Sequence, residues 1–325
     1  VFSGSGIRTL DLTDNTALSS FGCVDCPNLE SVKLPKNFNS LDPKCFENTP
    51  KLKSITLPDS LKYIGLNAFV GSSIESIKIP KKVYYIGESA FENTVINSVE
   101  FESGSKLETI KKSAFKGCNN LKSIVIPASV TTIGAYAFSG CTNLTSVTFE
   151  EGSNLETLDK IFYNSDIAEN NSAITEFTIP KSVTEIAPCA FIGLSSLTKV
   201  VFEDDSNVTV LPTQLFDGCY NLTTVYFGKN SKIKTMDDWA FMRSVKLTEI
   251  SIPKSVTKID ASAFASCKSI KSITIPGGVT YVGRGAFSGW TKDQIIYVEG
   301  YAKTPDGWSS EWLEGCNATI VWSKV

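Results

Sequence analysis

The sequence predicts a solenoid of parallel β-strands, and three regularities predict it. A phenylalanine recurs from Phe46 to Phe287 at steps of 22–29 residues, mostly 23–25. An apolar triplet spaced L-x-x-L-x-L stands between successive phenylalanines, as at Leu121, Ile124 and Ile126. A second apolar pair follows the triplet, as at Val130 and Ile133. Self-similarity at such a period marks units that stack side by side.

Residues 115–138 show what each element must be. Around Ile124 and Ile126 apolar and polar residues alternate with period two, which makes a short strand with one buried face. Pro127 follows; it lacks an N–H and ends the ladder. Val130 and Ile133 then point inward from a second side, and Ala137, Phe138 and Cys118 fill a third. Some strands end in Pro-x-x-Val, at Pro80, Pro127, Pro180, Pro253 and Pro276. Others end in a longer acidic turn, at 101–107 and 149–155, which accounts for the longer periods.

Twelve triplets run from Ile7, Leu10 and Leu12 to Ile270, Ile273 and Ile275, and a degraded thirteenth lies at Asp293, Ile296 and Val298. The period falls in the range of leucine-rich repeats. One unit cannot cover its own two open faces, so neighbours must stack on both. The fold expected is a leucine-rich-repeat solenoid over 1–300, with parallel strands on the concave side. Short turns, 3-10 segments or short strands are expected elsewhere, and 301–325 would form a Trp-rich cap.

The pattern L-x-x-I-x-I-P-x-x-V-x-x-I-G-x-x-A-F-x-G-C-x-N resembles the bacterial BspA-like, or Treponema-type, leucine-rich repeats over roughly 7–298. The resemblance implies a horseshoe or gently curved solenoid on an exported surface protein engaged in adhesion or host contact. Pro and Ser stand where eukaryotic-type repeats carry an asparagine after the strand, so no asparagine ladder is expected there.

Composition bounds the function. With 42% hydrophobic and 20% charged residues among 325, the chain is not globally disordered. A net charge of −3 and a pI near 5.3 argue against a nucleic-acid partner. No apolar run approaches the ~18–20 residues of a membrane helix. The chain has 0 His, which removes Ser-His-Asp triads, Cys–His pairs and imidazole metal sites. No motif marks a carboxylate pair in their place, so the chain reads as non-catalytic, with no cofactor. It starts at Val1 without a leader and reads as a mature or truncated form.

The strand position between the two inward residues faces outward on the concave sheet, where repeat proteins commonly bind. Val125, Thr148, Thr178, Val201, Tyr226, Ser251 and Tyr297 are the candidate binding surface. It is lightly charged, which fits a protein or a glycan better than a polyanion. Tyr226 beside Val201 is the hot-spot candidate, although strand propensity accounts for an aromatic there equally well.

Other features compete for a role. Ser31, Ser54, Ser76, Ser98, Ser123, Ser146 and Ser272 form a row just before the central strand position, read as corner residues bonding locally. Of 9 cysteines, Cys26, Cys118, Cys141, Cys219 and Cys267 lie three residues after the Phe slot, and Cys45 and Cys189 are assigned to the Ala slot before it. Such repeat-locked thiols read as buried core, ahead of a Cys118–Cys141 bridge or a Cys23-x-x-Cys26 motif. The acidic turns at Glu150-Glu151 and 203–205 read as solvated, with a weak Ca²⁺ site as the sharper alternative. Residues 163–172 form a polar insertion. Sequons occur at Asn143, Asn170, Asn207, Asn221 and Asn317. Four of 5 Trp (Trp290, Trp308, Trp312 and Trp322) crowd the C-terminal segment, which reads as a cap; Trp308 and Trp312 are the alternative glycan platform.

The expectation is a monomeric interaction module of an extracellular or cell-surface bacterial protein. It would bind an extracellular protein or glycan through the concave sheet, or a glycan or the cell wall through the C-terminal aromatics.

Overall fold

The computed structural model describes residues 2–163 and 173–323. They fall into two compact units, 2–155 with 161–163 and 173, and 156–160 with 174–323. Among the described residues no helix forms. Turns and two-residue strands occupy the positions beside the long strands, so the expected 3-10 alternative is not realised.

In the first unit the long strands pair parallel and in register, Thr9–Asp11 with Ser31–Lys33, Ser76–Ile79 with Ser98–Phe101, and Ser123–Ile126 with Ser146–Phe149. Leu52, Ile55 and Leu57 are buried in the same pattern, although no strand is formed there. The short strands Ser40–Leu41, Tyr63–Ile64, Tyr85–Ile86, Thr109–Ile110 and Thr132–Ile133 form a second parallel ladder. Its inward residues, Leu41, Ile64, Ile86, Ile110 and Ile133, are all buried.

The second unit repeats the plan. Glu176–Ile179, Lys199–Phe202, Thr224–Tyr226 and Glu249–Ile250 form one long-strand ladder, and Ser272–Ile275, Ile295–Glu299 and Thr319–Ser323 another. Val210–Leu211, Thr235–Met236, Lys258–Ile259 and Tyr281–Val282 line its short side. The strand at Thr319–Ser323 carries the long-strand ladder into the C-terminal segment. Gly285 N and Gly289 N donate to Glu311 O and Gly315 O, so this segment makes one more turn.

The third side is also a ladder. Phe69 N donates to Ala90 O, Phe91 N to Ala114 O and Phe115 N to Ala137 O, at 2.8–2.9 Å. The residues two before and two after the Phe donate to the next turn as well, as Ser89 and Asn93 do. Both positions are left-handed, with φ of 53° at Ser89 and 58° at Asn93. This explains the recurring glycine two residues after the Phe, as at Gly117 and Gly140. The Phe rings stack through the core with centroids 5.1–5.3 Å apart from Phe46 to Phe115, and 5.1–5.7 Å from Phe216 to Phe287.

The cysteine slot has a polar duty beyond filling space. Cys118 Sγ donates to Phe91 O, Cys219 to Phe191 O and Cys267 to Phe241 O, at 3.0–3.1 Å. Ser244 Oγ and Trp290 Nε1 do the same from the same slot. Burial pushes the Cys118 and Cys219 thiols up to about 12, which keeps them protonated as donors. All nine cysteines are free. Cys189 departs from its expected place: it lies one residue before the Ala slot, half-buried and left-handed at φ 63°.

Arg243 stands in the left-handed slot that glycine usually fills, at φ 61°. Its guanidinium grips Asp217 with two 2.9 Å bonds, and that carboxylate is 2% exposed. A buried carboxylate stripped of its partner is destabilising.

Cys267→Ser is expected to be tolerated, because Ser244 serves the slot natively. Cys267→Val lacks the donor and is expected to cost about 1–2 kcal/mol. Urea midpoints of the two variants check this; equal losses would refute the carbonyl-capping role. Arg243→Gly removes the strained conformation but strands Asp217, and is expected to destabilise by roughly 2–3 kcal/mol. Adding Asp217→Ser is expected to recover most of that loss in thermal unfolding. No recovery would show that the bridge is not what holds the pair.

Candidate interaction face

The long strands set the candidate face. Their register places Thr178, Val201 and Tyr226 side by side on successive turns. Val125 adjoins Thr148, and Tyr297 lies between Thr274 and Val321. Val125, Tyr226 and Tyr297 are 52%, 46% and 39% exposed. Thr148, Thr178 and Ser251 are exposed too, while Val201 is half-buried. In the first unit the same positions carry cross-strand ion pairs, Lys33–Asp11 at 2.9 Å and Lys78–Glu100 at 3.1 Å.

Tyr226 is steadied from below. Its hydroxyl donates to Asp204 Oδ1 at 3.4 Å. The same carboxylate accepts the Lys229 N–H at 2.8 Å and faces the Lys229 ammonium. These bonds, the backbone N–H foremost, hold the Asp204 carboxyl below the usual carboxylate range.

The serine row, Ser54 apart, is the first residue of the long strands. Ser31, Ser76, Ser98, Ser123 and Ser272 are exposed on the same outer face. They are therefore surface hydroxyls and not corner residues, and Ser76 adjoins Ser98 as Ser123 adjoins Ser146.

The acidic turns serve the turns beside them. Glu102, Glu150 and Glu203 each accept the N–H of the residue after a proline one turn earlier, at Lys81, Ala128 and Lys181, with distances of 2.9–3.0 Å. Proline turns and acidic turns alternate because one supplies the carboxylate that the other's N–H needs. Among the described residues no cluster of three or more His, Cys, Asp and Glu is placed to hold a metal ion. Cys26 Sγ donates to Phe2 O at 3.0 Å, the capping role seen elsewhere.

Asparagines do form ladder bonds, just before the strand. Asn143 Nδ2 donates to Asn119 O and Asn221 Nδ2 to Ser195 O, at 2.7 and 2.6 Å. Both sequon side chains are thereby engaged. The sequon at Asn170 and all of the 163–172 insertion except Tyr163 lie outside the described residues.

Trp308 and Trp312 are 5% and 2% exposed. Trp312 packs edge-on against Phe287 at 6.2 Å and against Trp308 at 5.0 Å, and Trp308 Nε1 donates to Val279 O. Neither ring offers an open face.

Sequence reasoning missed the outward aromatics of the other two sides. Tyr63 is exposed on a short strand and meets Tyr84 edge-on at 4.5 Å. Trp239 is 41% exposed in a left-handed turn at φ 59°. Tyr63, Tyr85 and Tyr281 each precede an inward aliphatic, and that alternation is the signal by which they are found.

The same architecture occurs in solved structures. A leucine-rich repeat protein from Bacteroides ovatus is 25% identical, with a TM-score of 0.72 over 98% of this chain and 82% of that one. The pneumococcal vaccine antigen PcpA shares the fold at 23% identity, with a TM-score of 0.53 over 94% of this chain and 83% of that one. No curated protein sequence matches the chain. The BspA type leucine-rich-repeat region matches in six copies over residues 1–75, 62–172 and 168–293, so the chain belongs to the BspA-type leucine-rich-repeat family.

Proposed function

We propose that this chain is a non-catalytic interaction module of an exported bacterial protein. Its long-strand face adheres to an extracellular protein of a host or a neighbouring cell. One observation carries the reading: Val125, Tyr226 and Tyr297 stand exposed on strands whose inward residues already complete the core. Large apolar groups with no role in the core are the usual anchors of an interface. Membership of the BspA-type family supports a place outside the cell. The missing histidines, and turn carboxylates already bonded to backbone N–H groups, support a binding role over a catalytic one.

The module acts as a monomer, with a solenoid over 1–300 closed by 301–325. The burial of Trp308 and Trp312 supports a cap in preference to a sugar platform.

The test is binding of the purified chain to immobilised extracellular-matrix proteins at physiological salt. Tyr226→Ala with Tyr297→Ala is expected to weaken binding about tenfold or more, as for a hot-spot pair, with the unfolding midpoint unchanged. Undiminished affinity in the double variant would remove the long-strand face from the interface. Deleting 301–325 is expected to lower the thermal midpoint by at least about 5 °C, because the rings over Phe287 go with it. A truncated chain with an unchanged midpoint would end the cap reading.

A further inference from the structure

We infer that the cleft beside Tyr226 is a binding site for a carboxylated sugar unit. The inference rests on reading the long-strand face as the interaction surface, and it names the chemistry that one part of that face takes. The cleft measures about 430 Å³ and is lined by Tyr226, Asn230, Ser231, Ser251, Lys254 and Ser255. That size lies within the range of small-molecule sites.

The cleft exists because one turn is held away from the next. Gly228, at φ 71°, lies so close to Glu203 O that no side chain fits there. Lys229 N donates to Asp204 Oδ1 at 2.8 Å, and Asn230 Nδ2 to Asp205 Oδ1 at 2.9 Å. Residues 228–230 are thus fastened to the turn before them. In the first unit the same succession, a long turn and then a proline turn, is closed. There Ser129 Oγ donates to Leu107 O at 2.8 Å, and Leu107 N donates to Ser105 Oγ at 3.2 Å. Their counterparts, Ser255 and Ser231, have buried hydroxyls with no partner. Ser182, in the slot of Ser255, is also unpartnered; what sets Ser231 and Ser255 apart is that both line one cleft. Buried hydroxyls without partners are unfavourable, so a polar ligand gains by meeting them.

The lining selects the ligand class. Three serine hydroxyls both donate and accept, and Asn230 keeps its Oδ1 free because only its Nδ2 is engaged. That set complements a polyol. Tyr226 offers an exposed ring face, steadied through its hydroxyl, for the C–H face of a sugar. Lys254 has no acidic partner among the described residues, while Asp204 faces Lys229. Lys254 is the one charged residue on the cleft's lining, with Asp205 held behind it on Asn230 Nδ2, and a carboxylate is the group that complements it. Thr224 and Val225 are paired on both sides, whereas Tyr226 is paired only with Val201, so a peptide is the competing ligand that the experiment must separate from a sugar.

The experiment titrates the full chain with sodium D-glucuronate, D-glucose, sodium acetate and the peptide acetyl-Gly-Glu-Gly-amide, followed by saturation-transfer NMR. Glucuronate is expected to bind saturably and at least about fivefold tighter than the other three. Lys254→Gln is expected to weaken it roughly two- to fivefold, as for an exposed ion pair. The double variant Ser231→Ala, Ser255→Ala is expected to weaken it about tenfold, and the remote Lys268→Gln to leave it unchanged. Equal binding of acetate, tighter binding of the peptide, or glucuronate binding indifferent to these variants would each overturn the inference. No glucuronate binding, with matrix-protein binding still lost in Tyr226→Ala, would overturn the sugar site and leave the interaction face standing. Loss of both would bring down the underlying reading as well.

Discussion

From Phe46 to Phe138, and again from Phe191 to Phe287, each turn presents the same ring to the same neighbour. Strands in a sheet lie ~4.8 Å apart, and the stacked phenylalanines keep close to that spacing, as with Phe91 and Phe115 at 5.2 Å and 4° between planes. The rings are parallel because the ladders on all three sides advance by one strand at a time. Beside the insertion the stack loosens, and Phe138 and Phe162 lie 6.3 Å apart, tilted by 34°. The columns end on edge-on rings, Phe21 against Phe46 at one end and Trp312 against Phe287 at the other. An edge-on contact satisfies the last ring face without demanding another copy of it.

This constraint sorts residues into slots by backbone and donor needs as much as by hydrophobicity. In the slot three after the Phe, Cys267, Ser244 and Trp290, residues unlike in size, each bring a donor to the preceding turn's Phe carbonyl, while Thr49 and Thr94 donate to the Phe carbonyl of their own turn. The left-handed slot one residue earlier most often holds glycine, as at Gly117, Gly140 and Gly218, and otherwise a small polar residue such as Asn93 or Ser266. Arg243 is accepted there through its two bonds to a buried carboxylate. Trp239 sits in the other left-handed slot, exposed, with no such bond to explain it.

These distinctions explain what sequence made legible. Leu121, Ile124, Ile126, Val130 and Ile133 are buried where their spacing requires, and Tyr226 and Val125 are exposed for the same reason. Period-two and period-23 patterns report which way a side chain points. They do not report hydrogen bonds made by a backbone that alternates between left- and right-handed residues, so the third ladder went unseen. They do not extend over the C-terminal segment, where Trp308 and Trp312 break the template and are buried all the same. The proline–acid alternation was visible as a pattern, but its cause, a carboxylate reaching the N–H after a proline, lies between turns. Cys189 was misplaced because a one-residue offset separates a core slot from a half-exposed turn.

The candidate site follows from the same division. Inward slots and capping donors are committed to the stack, so the residues free to vary are the outward strand positions and the turns. Recognition can then change without disturbing the core, because a residue such as Tyr226 contributes its ring to the surface and only its hydroxyl to the neighbouring turn. The cleft beside it shows how far this freedom extends. It arises from the way one turn is fastened to its predecessor through Asp204 and Asp205, and no inward slot changes to make it. A solenoid with uniform ladders can therefore carry a local concavity wherever adjacent turns differ in length, and its binding chemistry is set by the hydroxyls and charges that the open seam leaves unpaired.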